Sequence, residues 1–158
     1  MHFPIIALEN VETLKKDWCD DLPFDDKTLQ EHTDYYGDVY NSEERRDVVN
    51  SDWFAELLDG YATLDKKRYT ITFHDVDTCR RHFEEYLEDL TKELYEKAKN
   101  HTLNGYHLYV AANEYKGCSA LFYLSDDGYA QTSFDFLDDA TYRAGKTYKI
   151  GNIFDAHY

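Results

Sequence analysis

Apolar and polar residues alternate in some stretches of the chain and recur every third or fourth position in others. The two periods predict different elements. From Arg68 to His74, Tyr69, Ile71 and Phe73 alternate with Thr70, Thr72 and His74, which predicts a half-buried strand. Asp77 stands at an N-cap position. From there to about Asn100 the residues Cys79, Phe83, Tyr86, Leu87, Leu90, Leu94, Tyr95 and Ala98 form a stripe at helical spacing. The opposite face pairs Arg80 with Glu84, Arg81 with Glu85, Glu88 with Lys92 and Glu93 with Lys97, each pair contributing about 0.2–0.5 kcal/mol. Asn104-Gly105 closes the connection that follows. Three strands are expected beyond it, Tyr106–Asn113, Cys118–Leu124 and Tyr129–Phe136, joined by turns at Lys116-Gly117 and Asp126-Asp127-Gly128 as an antiparallel meander. Thr147–Ile150 reads as a last short strand and Asn152–Tyr158 as a tail. The sum is α+β: a mostly antiparallel sheet of four to five strands with one long helix packed on it.

The front of the chain follows neither period as cleanly. Val11 to Cys19 fits a short helix with Val11, Leu14 and Trp18 on one face. Asp52 to Gly60 fits better: Ser51 caps it, Trp53, Phe54, Leu57 and Leu58 form the buried side, and Gly60 ends it. Asp26–His32 and Glu43–Val49 are further candidates for helical turns. Met1–Leu8 is an apolar stretch without the basic lead or the length of a signal peptide. We therefore expect one domain over residues 1–158. Residues 1–60 would be an acidic, short-helical segment and residues 61–158 the helix-on-sheet scaffold.

Composition adds most through charge. The formal net charge is −15, and its distribution is uneven. Residues 9–59 hold 16 Asp and Glu against 5 Lys and Arg, whereas residues 60–158 hold 16 against 12. Such a balance disfavours nucleic acid and anionic membranes as direct partners and makes a basic surface the natural complement. With 42% hydrophobic and 16% aromatic residues, the chain has enough apolar material for a real core. No apolar run is long enough to span a membrane. Cys19, Cys79 and Cys118 are odd in number and far apart, without a C-x-x-C pair. Reduced thiols and a cytoplasmic location are expected.

Candidate chemistry concentrates in the acid. Asp20, Asp21, Asp25 and Asp26 are followed by Glu31, Asp34, Asp38, Glu43 and Glu44, with Tyr35, Tyr36 and Tyr40 interleaved. Carboxylates this close repel one another, so their proximity implies a compensating role, either solvation or a basic partner. Tyrosine adds rigid apolar area and a hydroxyl, which suits an interface. Spaced carboxylates of this kind imitate phosphate charges and can occupy the basic groove of a nucleic-acid-binding protein. The calcium reading fails, since no window has EF-hand spacing and Tyr and Val fill the ligand positions around Gly37.

An enzyme reading rests on His74, Asp75 and Asp77 at a strand end, which could hold a divalent metal or perform acid–base work as a small hydrolase or nuclease. A turn and a helix cap account for the same residues. His74, His101 and His107 are the histidines whose elements could converge. No G-x-S-x-G elbow or Walker loop is present, and no cofactor is expected. The strand aromatics Phe122, Tyr123, Phe134 and Phe136 are read as core rather than as an RNA-stacking platform, which would need a basic rim. A third reading is a regulatory interaction domain unrelated to nucleic acid.

In size, acidity and lack of a catalytic motif, the chain resembles the small anti-defence proteins of phages and plasmids, including anti-CRISPR and anti-restriction DNA mimics. The resemblance is compositional and covers chiefly residues 9–59. It implies a binding protein that competes with DNA for a Cas effector or a restriction enzyme.

Overall fold

The structure, a computed structural model, describes residues 2–12, 35–113, 120–124 and 130–157. In chain order the elements are strand β1 (His2–Asn10), strand β2 (Tyr35–Val39), helices α1 (Ser42–Asn50) and α2 (Asp52–Leu58), strands β3 (Ala62–Asp65) and β4 (Thr70–Phe73), helices α3 (Val76–Lys99) and α4 (Gly105–Asn113), strands β5 (Leu121–Leu124) and β6 (Ala130–Thr132), helix α5 (Ser133–Asp138), a 3-10 turn (Asp139–Arg143) and strand β7 (Thr147–His157). The fold is α+β, as expected.

The strands form one sheet in the order β3-β4-β7-β1-β5-β6, with β2 also paired to β7. β1 runs antiparallel to β7 and parallel to β5, with Ile5 opposite Leu121 and Leu8 opposite Leu124. The sheet is thus mixed, although its other pairings are antiparallel. The second edge of β7 is shared, β4 taking Thr147–Lys149 and β2 taking Phe154–His157.

Alternate residues of β1 and β5 serve two cores. Ile6, Leu8, Phe122 and Leu124 join the larger one, with Val49, Phe54, Leu57, Leu58, Phe73, Cys79 and Phe136 from the helices and β4. Ile5, Ala7, Leu121 and Tyr123 join a smaller one with Phe3, Phe154 and Ala156. A strand buried on both faces reads as a continuous apolar run rather than an alternation, which is why Phe3–Leu8 carried no strand signal. The expected helix-on-sheet unit of residues 61–158 therefore needs residues 2–10 at its centre, and Val49 to Leu58 belong to its main core.

Three further expectations are corrected. Residues 106–113 form α4 rather than a strand. Asn104 caps this helix, its side-chain oxygen accepting the His107 N–H at 3.1 Å, and that cap outweighs the β propensity of Tyr and Val. β6 ends at Thr132, where the Thr132 hydroxyl accepts the Asp135 N–H at 3.2 Å and starts α5. The N-cap of α3 is Asp75, not Asp77.

The last strand and the tail form one element. Opposite Ile6 and Leu8 of β1 stand Ile153 and Ile150 of β7, so β7 carries one extra residue at that point. This bulge returns both isoleucines to the same face despite their odd spacing, and the pairing continues to His157.

Candidate functional site

The helical part of the acidic front that the structure describes is the α1–α2 pair. Asn41 caps α1 through a capping box: its side chain accepts the N–H groups of Glu43 (2.9 Å) and Glu44 (3.0 Å), and Glu44 accepts the Asn41 N–H at 2.8 Å. Ser51 ends α1 and begins α2. Val49, Phe54, Leu57 and Leu58 anchor the pair in the main core. Arg45 faces inward, donating Nη2 to the Ile150 carbonyl with its guanidinium 4.7 Å from the centre of the Tyr69 ring. The solvent side thus presents Glu43, Glu44, Asp47, Asp52, Glu56 and Asp59, all exposed, against the exposed Arg46. Arg46 lies 3.6 Å from Glu43 and 3.9 Å from Asp47, exposed contacts of little energetic weight.

The predicted contact residues are placed unequally. Asp20, Asp21, Asp25, Asp26, Glu31 and Asp34 lie outside the described residues. Tyr35, Tyr36 and Asp38 lie in β2, whose backbone pairs with β7. Tyr40 is half-buried against the main core, and its N–H donates to the Ile153 carbonyl at 2.8 Å. Its hydroxyl is held above the ordinary phenol range, mainly by desolvation and then by Asp155 and Glu44. Core packing accounts for this residue without a partner. Glu43 and Glu44 are exposed in the first turn of α1, where negative charge also favours the helix dipole.

The residues of the enzyme reading each have a structural occupation. His74 Nε2 lies 3.2 Å from the Thr63 hydroxyl and Nδ1 lies 3.3 Å from the Gly60 carbonyl. Asp75 accepts the N–H of Thr78 at 3.0 Å and its hydroxyl at 2.7 Å, bonds that hold its carboxyl below the ordinary range. Asp77 points into solvent, 3.8 Å from Arg80. Among the described residues no group of three His, Cys, Asp or Glu side chains converges as a metal site would require. The Cys79 thiol is buried, donates to the Tyr61 carbonyl at 3.4 Å and is pushed up by desolvation, so it lacks thiolate character.

Two features escaped sequence reasoning. One is a buried network in which Arg143 donates to the Phe136 carbonyl (2.9 Å) and to Gln131 Oε1, while Gln131 donates to Asp139 (2.7 Å). It ties β6, α5 and the 3-10 turn together. The other is a groove between α3 and α4, invisible while residues 106–113 were read as a strand. Compared with protein-family models, curated proteins and solved structures, the chain matches none.

Proposed function

We propose that this protein is an acidic binding protein that occupies a basic, nucleic-acid-handling surface of a partner protein, in the manner of a DNA mimic. The observation that supports this most directly is the α1–α2 pair. Its apolar side is buried in the main core, so its carboxylates are carried on an anchored surface rather than on loose chain. Arg45, one of the two bases within α1, is turned away toward Tyr69 and Ile150, which leaves the solvent side more acidic than the sequence alone suggests. Preorganised charge of one sign steers association and matches the Lys and Arg that would otherwise neutralise phosphate. The reading also takes the acids from Asp20 to Asp34, with Tyr35 and Tyr36, as candidate contact residues. A cytoplasmic location fits this reading, and among the described residues no helix is long and apolar enough to cross a membrane.

The test is displacement of labelled duplex DNA from a panel of Cas effectors and restriction enzymes. The reading expects displacement by the wild-type protein, steep weakening as NaCl rises from 50 to 300 mM, and loss on combined Asp47→Lys, Glu56→Lys and Asp59→Lys substitution. The same loss is expected on charge reversal of Asp20, Asp21, Asp25 and Asp26. Displacement that survives both salt and charge reversal would sink the mimic reading.

A further inference from the structure

Asn104-Gly105, between α3 and α4, is the one Asn-Gly pair in the chain. An asparagine side chain is attacked by the backbone nitrogen of the next residue when that nitrogen loses its proton and reaches the side-chain carbonyl carbon. Glycine favours this approach, because without a Cβ it leaves the backbone angles free and the nitrogen uncrowded. Both residues are exposed, and a Cβ built on Gly105 would meet nothing within 4 Å, so a ring and an incoming water have room there.

Hydrogen bonding and burial set Asn104 apart from Asn10, Asn41, Asn50, Asn100 and Asn152. After Asn10, Asn50 and Asn100 the nitrogen that would attack is engaged. The Val11 N–H donates to the Thr147 carbonyl, that of Ser51 to Val48 and that of His101 to Ala98, each at 3.1 Å. An N–H held in this way resists both deprotonation and rotation. Asn152 precedes the fully buried Ile153. Asn41 is locked by its capping box, its side chain accepting two N–H groups and its own N–H bonded to Glu44. Gly105, by contrast, is the first residue of α4, where N–H groups have no partner within the helix, and among the described residues its N–H has none outside it. The Asn104 side chain is held by one bond, from the His107 N–H at 3.1 Å. Ring closure needs this first turn to open, which costs little at the exposed end of a nine-residue helix that begins with glycine.

We propose that Asn104 is a site of spontaneous deamidation in the folded protein. The Gly105 nitrogen gives up its proton and bonds to Cγ, the Cγ–Nδ2 bond breaks, and ammonia leaves with that proton. Water then opens the succinimide at either carbonyl, one water being consumed for each ammonia released. Opening at Cγ gives aspartate, which caps as well as asparagine and suits the positive end of α4. Opening at the backbone carbonyl gives isoaspartate, which routes the chain through Cβ and removes the cap. The site is independent of the acidic α1–α2 surface.

The experiment is incubation of the full chain at 37 °C and pH 6, 7.5 and 9, followed by peptide mapping. Conversion is expected at Asn104, with the mass gain of an amide-to-acid change, both acid isomers resolved by electron-transfer fragmentation, and a rate that rises with pH. Gly105→Ala should slow it about tenfold, by restricting the backbone. His101→Gly makes a second Asn-Gly pair, at 100–101, whose nitrogen is still bonded to Ala98. That pair should convert at least about fivefold more slowly than Asn104, the worth of one ordinary hydrogen bond. The wild-type map decides alone if either variant fails to fold. No conversion at Asn104 in the folded chain, equal conversion at Asn10, Asn50 or Asn100, a rate indifferent to pH, or equal rates at the two pairs of the His101→Gly variant would each overturn the proposal.

Discussion

His101 follows α3 with φ +58°, in the left-handed region that favours glycine. It closes the helix with a Schellman pattern: its own N–H donates to the Ala98 carbonyl at 3.1 Å, and that of Thr102 to the Lys97 carbonyl at 2.9 Å. Relief of left-handed strain outweighs the added freedom of the unfolded chain, so His101→Gly is expected to stabilise by about 0.5–1 kcal/mol. The urea midpoint should rise at unchanged slope. Gly60 behaves in the opposite way. Its φ is +84°, and a Cβ there would stand 2.5 Å from the His82 ring, which lies edge-on to Tyr61 at 4.8 Å. Gly60→Ala should cost about 1–3 kcal/mol, measured the same way. Asp75 adds a pH dependence. Its carboxyl is lowered chiefly by the Thr78 N–H and then by the Thr78 hydroxyl, so its contribution is present above the ordinary carboxylate pKa and lost as pH falls through the folded value. Asp75→Ala should lower the melting temperature at pH 7, and the gap to wild type should narrow as pH falls through the acid range.

At the scale of elements, what the sequence disclosed follows burial. α3 is amphipathic near the core, where Cys79 is buried and Phe83 and Tyr86 pack on the main cluster, and its period was plain. β4 was plain for the same reason, with Ile71 and Phe73 inside and Thr72 outside. β1 was not, because both its faces are buried and the period of two vanishes. β7 was cut short because its bulge breaks the alternation between Ile150 and Ile153. α4 was misread because its exposed residues include Tyr106, Leu108 and Tyr109, which made the segment look like a strand interior. α5 is too short for any period, and tertiary contacts hold it. Phe136 is fully buried, stacked on Phe122 at 4.1 Å, edge-on to Phe73 at 5.6 Å and beneath the Arg143 guanidinium at 5.2 Å. Phe136→Ala should cost about 3–5 kcal/mol. Arg143→Leu should cost about 2–4 kcal/mol, because it strands the Phe136 carbonyl and the Gln131 amide oxygen in the interior. Denaturant unfolding checks both.

Over the whole molecule, the acidic candidate site was legible as composition but not as geometry. Counting carboxylates could not show that Arg45 turns inward or that Tyr40 packs on the core. The same charge makes opposite demands on folding and on binding. At −15 the compact state repels itself, and salt screens that repulsion within a Debye length of about 8 Å at physiological ionic strength. Raising NaCl from 50 to 500 mM should therefore raise the melting temperature, whereas a complex with a basic partner should weaken over the same range. Asp47→Asn sharpens the contrast. Asp47 lies in the last turn of α1, four residues after Glu43, where both the helix dipole and the like charge oppose it. Its neutralisation should stabilise by a few tenths of a kcal/mol, about the worth of one such pair, and weaken partner binding. If the acid serves only solvation, Asp47→Asn will stabilise the fold without changing DNA displacement. A carboxylate that costs stability and yet governs displacement is one the surface holds for its partner.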